Sequence, residues 1–540
     1  MAVMRVENVF ANFEHDVNIC FEYEGKVYSY ELERLFKERY FGFCGPGGWA
    51  RSFECLSHFK NTLLKEFQVT NVAFENLFYN EDLQWGNDAS IIPSNFKSLF
   101  ANKTSTELDH HECHAAGAFY QSSFEESLIF SYDGGGNRAN SRGHTYNVDD
   151  WDFTVLYLAS RKNGIRRLCK IPVNFGGFYN LLCEYPDVVK WDNRVSMAGC
   201  GKFMGLSGHS FPNPFIVNAL KDIFNNNPFH HKGGETIVDE DWDFVKIFGY
   251  EQEGFNRNNI IKDFESCSNF ASNWQEAFEQ IVVDMIKPYV EKYNYPICIT
   301  GGCALNVLAN ERIRTTFNRE VFVPPNPSDC GLGIGGMAIH TDVDISNTVY
   351  NNFDLLDRDS IPIGVPANIP KLADLICEGK ILGVVNGRSE CGPRALGNRS
   401  ILCDPSIPDM KDTLNAKVKF REWFRPFAPM VRYEDRNKYF VFDGDSPYMS
   451  FACPVRETYR DELSAITHVD GTARLQTVKE SDNPFIYELL TELEIKGNIP
   501  VLLNTSFNIK GLPILTTVND ALGILRDTEL DNVYIEGKLF

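Results

Sequence analysis

The sequence has none of the features that mark membrane-spanning, secreted or disulfide-stabilised proteins. No stretch of its 540 residues approaches the roughly 20 consecutive apolar residues that a membrane helix needs. The 15 cysteines contain no C-x-x-C pair, which favours reduced thiols over a zinc ribbon or a disulfide framework. Glu7 and Glu14 interrupt the region where a signal peptide requires an apolar core. We therefore predict a cytoplasmic protein with no membrane partner.

Positive charge is also scarce. The chain has 52 Lys and Arg against 73 Asp and Glu, a net charge of −21, which opposes broad electrostatic binding to nucleic acid. Guanidinium groups bind phosphate through paired hydrogen bonds, so a local concentration of them indicates a pocket for a small phosphorylated anion. A surface salt-bridge network with neighbouring acids is the alternative. Such a basic segment covers residues 386–430 and contains Arg388, Arg394, Arg399, Lys411, Lys417, Lys419, Arg421 and Arg425.

The length of the chain calls for more than one hydrophobic core. Residues 347 to 370 are rich in turn residues and have weak periodicity, which predicts a boundary there. We therefore expect two domains, over residues 1–350 and 351–540. Just before the basic segment, the pattern predicts a helix over 372–378 and a strand over 381–385.

The first forty residues predict a β-hairpin followed by a helix. Apolar and polar residues alternate over residues 17 to 30, and Gly25 supplies the turn. A charged helical run follows over residues 31 to 40. The adjacent pair His15 and Asp16 stands just before the first strand of the hairpin. Helix capping or simple exposure explains such a pair as well as a catalytic role does.

Residues 107 to 121 predict a helix that carries two histidines on one face. His110 and His114 are four positions apart, so two imidazole nitrogens can meet one metal ion, while His111 points elsewhere. A strand over 127–132 follows and ends in Asp133, Gly134, Gly135 and Gly136. Glycines after a strand let backbone N–H groups approach phosphate, and the aspartate can hold a metal. A hairpin turn produces the same pattern.

A second strand and glycine loop lies between residues 296 and 336. A strand over 296–300 leads into Gly301 and Gly302, and a helix opens near Asn306, which is an arrangement that binds anions. A further short strand precedes Asp329, where both a metal-binding carboxylate and a helix N-cap fit. Residues 207 to 295 look irregular and indicate an insertion that shapes an acceptor pocket.

Three stretches of the second half match a known family. They are ECGPRALGNRSIL, KVKFREWFRPFAP and NTSFN, and they occur in this order between Glu390 and Asn508. Together they resemble the second domain of the O-carbamoyltransferases, which include nodulation-factor, aminoglycoside and cephalosporin carbamoyltransferases. The resemblance implies an α+β, YrdC-like fold for this domain.

The first half resembles a second, related group of proteins. The two glycine loops, the paired histidines, the loop aspartates and the motifs NFGGFY and GKFMGL are similar to the TsaD-like domain of the tRNA-threonylcarbamoylation enzyme. That domain is a variant of the α/β fold shared by actin, sugar kinases and heat-shock ATPases. The resemblance implies that the first domain holds a nucleotide and one transition metal ion. Iron is the metal that the resemblance implies, and zinc and manganese suit the same ligands.

The resemblance also implies roles for individual residues. The implied metal ligands are His110, His114, Asp133 and Asp329. The implied nucleotide-binding residues are Gly134, Gly135, Gly136, Lys202, Gly301, Gly302 and Asn306. Carbamoyl phosphate and ATP would be bound by Arg394, Lys419, Arg425 and Ser506, with Arg399 either a further ligand or a structural support of its loop. His15 or Asp16 would act as the general base.

The implied reaction has two steps. Carbamoyl phosphate and ATP, with Mg²⁺, would give carbamoyl-adenylate in the second domain. The adenylate would then pass through an internal channel to the first domain, where an acceptor hydroxyl takes the carbamoyl group. The sequence leaves the acceptor open among sugars, antibiotics, toxins and hydroxymethyl-pyrimidine nucleotides or DNA, and a homodimer is an open expectation. A tRNA threonylcarbamoyl-adenosine enzyme and a non-catalytic nucleotide-binding protein are the alternatives.

Overall fold

The computed structural model describes residues 3–13, 15–42, 48–80, 100–135, 152–171, 173–189, 199–226, 231–232, 235–236 and 261–540. Gly136, one of the predicted nucleotide-binding glycines, lies outside these ranges, as does much of the stretch between 227 and 260. Every cysteine within them is a free thiol, as expected. Of the helices that can be described, none combines the length and the apolar character needed to cross a bilayer.

The first sheet contains five strands in the order β3-β2-β1-β4-β5. They are β1 (Val3–Asn12), β2 (Asn18–Tyr23), β3 (Lys26–Glu31), β4 (Asn71–Asn80) and β5 (Phe100–Glu107). The first three strands pair antiparallel, and β4 and β5 add in parallel. The predicted hairpin is confirmed, because Glu24 and Gly25 have φ of 52° and 74°, as the tight turn between two twisted strands requires.

The helix after the hairpin is shorter than the sequence indicates. It covers Leu32–Phe36 and ends at Lys37, which adopts the left-handed conformation with φ 56°. The predicted helix over residues 31 to 40 is therefore wrong in its second half. The Glu33 carboxylate accepts a hydrogen bond from the Tyr40 backbone N–H at 2.9 Å, which turns the chain back instead of extending the helix.

The second sheet repeats the strand order of the first. It contains β6 (Glu126–Tyr132), β7 (Thr154–Ser160), β8 (Gly164–Ile171), β11 (Ile297–Thr300) and β12 (Val321–Phe322), in the order β12-β11-β6-β7-β8. Again three antiparallel strands are followed by two parallel ones. A separate two-stranded ribbon joins β9 (His231–Lys232) and β10 (Glu235–Thr236). This duplication is the architecture of actin and the sugar kinases and confirms the α/β prediction.

Two helices pack against each other between the sheets. The histidine helix (His110–Gln121) follows β5, and the glycine helix (Leu332–His340) follows β12. A Cβ atom placed on Gly335 would lie 1.8 Å from the carbonyl oxygen of Cys113, so the crossing requires glycine there. The other α-helices that the structure describes in this half are Gly48–Glu66, Phe175–Leu182, Cys200–Ser207, Pro214–Asn226, Phe264–Tyr293 and Val307–Phe317.

The expectation of an irregular insertion over residues 207 to 295 is wrong where the structure describes this stretch. The Phe264–Tyr293 helix, here called the long helix, is 30 residues long. Its N-cap is Asp263, whose side chain accepts a hydrogen bond from the backbone N–H of Ser266. It buries a stripe that includes Trp274 and Phe278 in the main hydrophobic core. The serine- and asparagine-rich start has low intrinsic helix propensity, but burial of this stripe overrides that preference.

The second half forms a nine-stranded mixed sheet. Its strands are β13 (Val365–Pro366), β14 (Leu382–Val385), β15 (Arg399–Cys403), β16 (Ala428–Arg432), β17 (Phe451–Pro454), β18 (Thr472–Val478), β19 (Val501–Ser506), β20 (Asn532–Ile535) and β21 (Lys538–Leu539). The order is β13-β21-β20-β14-β15-β19-β16-β18-β17. The helices Ile369–Cys377, Met410–Leu414, Arg436–Tyr439, Pro484–Ile495 and Val518–Asp527 accompany it. This confirms the predicted α+β class and the helix and strand before the basic segment.

The two halves share a buried polar junction. Arg34, which is 1% exposed, pairs with Glu31 in its own half. Its guanidinium also donates to the Ser389 hydroxyl at 2.5 Å and to the Gly392 carbonyl at 2.7 Å in the other half. A side chain on Gly392 would collide with the Pro325 carbonyl, 2.0 Å from the Cβ position. The loop that carries Arg394 is therefore held against the loop that leads to Asp329.

Candidate functional site

The predicted metal ligands come from both sheets of the first half and meet at one point. Asp133 follows β6 and Asp329 follows β12, and both strands belong to the parallel part of the second sheet. His110 and His114 lie on the histidine helix, which follows the first sheet. Carboxyl ends of neighbouring parallel strands converge at one edge, which explains why residues so distant in sequence meet there.

The four side chains form what we call the four-ligand cluster. One ligand atom from each of His110, His114, Asp133 and Asp329 lies within 4.8 Å of all the others. His114 Nε2 lies 3.1 Å from Asp133 Oδ2 and 3.4 Å from Asp329 Oδ1. His110 Nε2 lies 3.5 Å from Asp329 Oδ1. Two imidazole nitrogens and two carboxylate oxygens at this spacing fit one iron, zinc or manganese ion.

The histidines of this cluster stabilise the ionised form of its two aspartates. Burial opposes ionisation of Asp133, but hydrogen bonds from His110 and His114 outweigh it and hold the pKa of Asp133 well below its usual value. Burial likewise opposes ionisation of Asp329, while the charges of His15 and His110 lower its pKa. Both aspartates are therefore carboxylates at neutral pH, as metal ligands must be.

His15 and Asp16 lie beside the four-ligand cluster. His15 Nδ1 is 3.1 Å from Asp16 Oδ2, and His15 Nε2 is 3.4 Å from Asp329 Oδ2. The His15 side chain is 34% exposed, whereas that of Asp329 is only 4% exposed. In this arrangement Asp16 orients the imidazole, and the other ring nitrogen faces the cluster.

The third histidine of the helix has a different environment. His111 makes hydrogen bonds with the Ser131 hydroxyl and the Asp152 carbonyl, both at 2.8 Å. Burial, together with the charges of His110 and His114, lowers the pKa of His111 to about 4, so it is neutral. This histidine therefore points away from the cluster, as the four-residue spacing of the other two predicts.

Asp133 ties the two glycine loops together. Its carboxylate accepts the backbone N–H of Gly134 at 2.6 Å and that of Gly302 at 2.8 Å. Gly301 has φ 88°, and a Cβ there would lie 2.2 Å from the Tyr132 carbonyl oxygen. The loops that the sequence predicts to bind phosphate are thus brought together, and Gly135 lies half-buried beside them.

Two other predicted nucleotide-binding residues have partners within the protein. Asn306 caps the Val307–Phe317 helix by accepting the Ala309 N–H, and it exchanges hydrogen bonds with Gln275 of the long helix. Lys202 Nζ lies 2.9 Å from Glu422 Oε1, in the basic segment of the other half. Asn306 thus caps a helix and Lys202 pairs across the two halves, while their nucleotide-binding roles stay predictions.

The basic segment forms a half-buried cationic cluster. Arg394, Lys419, Arg421 and Arg425 belong to it, and Arg474 on β18 joins them. Burial lowers the pKa of Arg394 to about 10, while Tyr40 offsets part of this effect and Arg425 and Arg39 add to it. Burial and repulsion between neighbouring guanidinium groups likewise hold the pKa of Lys419 and Arg474 well below their usual values. A bound anion would offset both the cost of burying these cations and the repulsion between them.

Two of these guanidinium groups are unsatisfied. Among the described residues, the side chains of Arg394 and Arg474 have no hydrogen-bond or ion-pair partner. The Nε atom of Arg474 is fully buried in this state. Sequence reasoning missed Arg474 because it lies in a strand, 80 residues after Arg394, and matches none of the quoted motifs.

Lys419 is held by the NTSFN motif. Its Nζ donates to the Ser506 carbonyl at 2.7 Å and to Asn508 Oδ1 at 2.6 Å, and the Ser506 hydroxyl donates to the same amide oxygen at 2.8 Å. Asn508 is a second residue that sequence reasoning did not single out, although it ends the quoted motif. The predicted pair of Lys419 and Ser506 is thus brought together.

Arg399 lies in a different neighbourhood from the cationic cluster. Its guanidinium donates to the Asn398 carbonyl at 2.9 Å, and burial lowers its pKa to about 10. The charged groups that interact with it are chiefly Glu390, Asp354 and Glu536. The bond to Asn398 is one that a structural support of the loop would make, whereas Nε and Nη2 of Arg399 are buried with no hydrogen-bond partner among the described residues.

A small cavity of about 10 Å³, enough for about one water molecule, lies between Arg394 and the loops that follow β11 and β12. Arg394 lines it from the second half, and Ala304, Leu305, Pro325 and Pro327 line it from the first. Leu305 precedes Asn306, and Pro327 closely precedes Asp329. The cavity thus touches the surroundings of both groups of predicted site residues.

Comparison with known protein families also divides the chain into two parts. The fold defines a two-part protein whose first part belongs to the actin and sugar-kinase class. The family profile described as the carbamoyltransferase N-terminus matches residues 57–339, and the profile for the carbamoyltransferase C-terminus matches residues 373–540. The chain therefore belongs to the carbamoyltransferase family and is an enzyme of the transferase class.

Several relatives align over most of the chain. Nodulation protein NolNO of Sinorhizobium fredii is 31% identical over 478 residues, covering 81% of this chain and 65% of NolNO. Nodulation protein NolO of Bradyrhizobium diazoefficiens is 31% identical over 463 residues, covering 79% of this chain and 78% of NolO. Nodulation protein U of Rhizobium tropici is 36% identical over 378 residues, covering 66% of this chain and 63% of that protein.

Solved structures resemble the chain only distantly. Full-length HypF in a phosphate- and nucleotide-bound form aligns with 62% of this chain and 55% of its own, at 12% identity and a TM-score of 0.33. HypF of T. kodakarensis gives the same TM-score at 13% identity, covering 62% of this chain and 47% of its own. Likeness at this level has no bearing on function.

Proposed function

We propose that this enzyme is an ATP-dependent O-carbamoyltransferase that works through carbamoyl-adenylate. It would make the adenylate from carbamoyl phosphate and ATP and transfer the carbamoyl group to a hydroxyl. The observation that carries the proposal is the cationic cluster, in which Arg394 and Arg474 have no protein partner among the described residues. The loop that carries Arg394 contacts, at Gly392, the loop that leads to Asp329 of the four-ligand cluster.

The first step would occur at the cationic cluster. Water cleaves carbamoyl phosphate to carbamate and phosphate, and a carbamate oxygen then attacks the α-phosphorus of ATP while pyrophosphate leaves. Carbamoyl phosphate, carbamate and ATP are all anions, so the protein must mainly neutralise charge and hold the reactants in line. Arg394, Arg425 and Arg474 would supply that charge, and Lys419 would be positioned by Ser506 and Asn508. Mg²⁺ would accompany ATP.

The second step would occur at the four-ligand cluster. An acceptor hydroxyl attacks the carbamoyl carbon, the bond to the phosphate oxygen breaks, and AMP leaves. His15 would take the hydroxyl proton, because Asp16 holds its Nδ1 and leaves Nε2 facing the cluster. A metal ion held by His110, His114, Asp133 and Asp329 would supply Lewis-acid chemistry next to the reacting group, with iron as the first expectation.

Enclosure would protect the intermediate. Carbamoyl-adenylate hydrolyses in water, so transfer between two sites requires a closed path. The close contact at Gly392 between the loop that carries Arg394 and the loop that leads to Asp329 supports such a path. We propose a TsaD-like transfer domain over residues 1–350 and a YrdC-like adenylate-forming domain over 351–540. Each family profile falls inside one of these ranges.

The acceptor is proposed only by class, as a hydroxyl-bearing small molecule or nucleoside. A hydroxymethyl-pyrimidine nucleotide or DNA belongs to this class. The net charge of −21 disfavours a tRNA substrate. The pairing of the cationic cluster with the four-ligand cluster disfavours a non-catalytic role, because a simple nucleotide-binding protein needs neither.

The test is pyrophosphate release by purified protein with ATP, Mg²⁺ and carbamoyl phosphate. We expect release that depends on carbamoyl phosphate and falls at least 10-fold in Arg394→Ala. Arg456→Ala is the matched control, because this arginine is exposed and its Nε donates to the backbone carbonyl of Asn437. Pyrophosphate release at the same rate with and without carbamoyl phosphate would overturn the proposal.

A further inference from the structure

Tyr40 has a backbone conformation that most side chains avoid. Its φ is 56°, in the left-handed region, where the Cβ atom of a residue other than glycine comes too close to the backbone. Two hydrogen bonds hold the segment in place. The Tyr40 N–H donates to Glu33 Oε2 at 2.9 Å, and the carbonyl of the next residue, Phe41, accepts the Val17 N–H at 2.9 Å. These contacts therefore hold the Tyr40 ring in one position although its backbone conformation is strained.

The place is the boundary between the two proposed sites. On one side, the charges of Asp16 and Glu33 act on the Tyr40 phenol. On the other side, the phenol acts on Arg394 and Arg425 of the cationic cluster. Tyr40 thus interacts with the proposed base pair in the first half and with the proposed anion site in the second.

The phenol is oriented and has an unused donor. Arg39 Nη2 donates to the Tyr40 hydroxyl oxygen at 3.2 Å, and its guanidinium carbon lies 5.1 Å from the ring centroid. Within the part of the chain that the structure describes, no acceptor faces the phenolic proton. Burial raises the pKa of Tyr40 to about 12, so the hydroxyl keeps this proton at any working pH.

We propose that the Tyr40 hydroxyl donates a hydrogen bond to the phosphate of carbamoyl-adenylate as the intermediate crosses from the cationic cluster to the His15 side. Arg39 holds the ring from behind. This inference rests on the proposed two-step function and adds a residue to it.

A neutral donor is the suitable group at this boundary. The adenylate phosphate carries one negative charge and must leave several guanidinium groups for a region that contains Asp16, Asp133 and Asp329. Another cation at the boundary would trap the anion, and another carboxylate would repel it. A phenol that stays neutral offers a hydrogen bond without either effect.

The test follows pyrophosphate release in the absence of an acceptor. Wild-type protein should release a burst of about one pyrophosphate per enzyme and then turn over slowly, because the adenylate is retained. In Tyr40→Phe the burst should be unchanged, while the later phase should be roughly 10-fold faster, the effect of losing one hydrogen bond to a charged group. Arg39→Gln should give a smaller increase, and Tyr23→Phe, at the end of β2, should give none.

Each outcome separates the two proposals. If wild-type protein shows no burst that depends on carbamoyl phosphate, the proposed function itself fails. If the burst is present and the later phase of Tyr40→Phe equals that of wild type, only the role of Tyr40 is overturned. Loss of the burst in Tyr40→Phe would also overturn it, because Tyr40 would then act in adenylate formation.

Discussion

Lys202 and Glu422 form an ion pair between the two halves, with Nζ and Oε1 2.9 Å apart and side chains 10% and 16% exposed. Burial opposes ionisation of Glu422, but the hydrogen bond from Lys202 outweighs it and lowers the pKa of Glu422 to about 2. Arg425 and Lys510 also approach this carboxylate, each to 3.4 Å. Glu422 therefore connects the first half to the cationic cluster.

We expect Lys202→Met to lower the free energy of unfolding by about 1–3 kcal/mol, because Glu422 loses its strongest partner in a partly buried site. Chemical denaturation measures the change. Lys221→Met is the matched control, since its partner Asp284 is 60% exposed, and such pairs contribute about 0–1 kcal/mol. If Lys202→Met left stability unchanged but weakened ATP binding, the residue would be a nucleotide ligand, as the sequence predicts.

Metal content should distinguish the three histidines of one helix. His114→Ala removes a ligand atom from the four-ligand cluster and should lower bound iron, zinc or manganese from about one per chain to less than about 0.1. His111→Gln should retain the metal, because His111 contacts Ser131 and Asp152 instead. Mass spectrometry of protein refolded with each metal gives the stoichiometry. Equal metal loss in both variants would mean that the helix, rather than the ligand set, was damaged.

Arg474 should matter for anion binding although no motif marks it. We expect Arg474→Ala to weaken carbamoyl phosphate binding roughly 10- to 100-fold in calorimetry, as loss of a charge-assisted hydrogen bond does. Arg399→Lys should bind normally and lose stability, because Arg399 contacts Asn398 and Glu390 within the protein. Normal binding by Arg474→Ala would remove this residue from the site.

Glu279 on the long helix should make stability depend on pH. Burial raises its pKa from 4.5 to about 7, and a hydrogen bond from Gln275 only partly offsets this. Between these pH values the folded state keeps a proton that the unfolded state has lost. Stability therefore falls as the pH rises through this window and is constant above it.

Glu279→Gln should remove that loss while keeping the acceptor for Gln275. We expect the variant to be about 1–3 kcal/mol more stable than wild type at pH 8 and nearly equal to it at pH 4.5, by denaturant titration. Glu291→Gln, at an exposed position of the same helix, should behave as wild type throughout. A difference that is the same at both pH values would contradict this origin.

The parts of the fold and site that the sequence predicts are those set by local patterns. The hairpin at Gly25, the histidine helix and the strands before Asp133 and Gly301 depend on alternation, helical spacing and glycine. Spacing alone also separated His111 from His110 and His114. These features require no knowledge of distant contacts.

The parts that the sequence does not predict depend on distant contacts. The long helix is stabilised by burial of Trp274 in the core, which its serine- and asparagine-rich start does not indicate. Arg474 joins the cationic cluster only because β18 pairs with β16 in the sheet. Lys202 has the same chemistry as a phosphate ligand, and only the fold shows that Glu422 lies beside it.

The most direct test of the account is capture of the intermediate. Protein is mixed with ¹⁴C-labelled carbamoyl phosphate, Mg²⁺ and ATP labelled with ³²P at the α-phosphate, and is then separated rapidly from free ligands. If the enzyme forms carbamoyl-adenylate, both labels should stay with the protein in equal amounts, and Arg394→Ala should retain neither above background. Retention of ¹⁴C without ³²P would mean that the carbamoyl group is transferred without an adenylate, and would contradict the central claim.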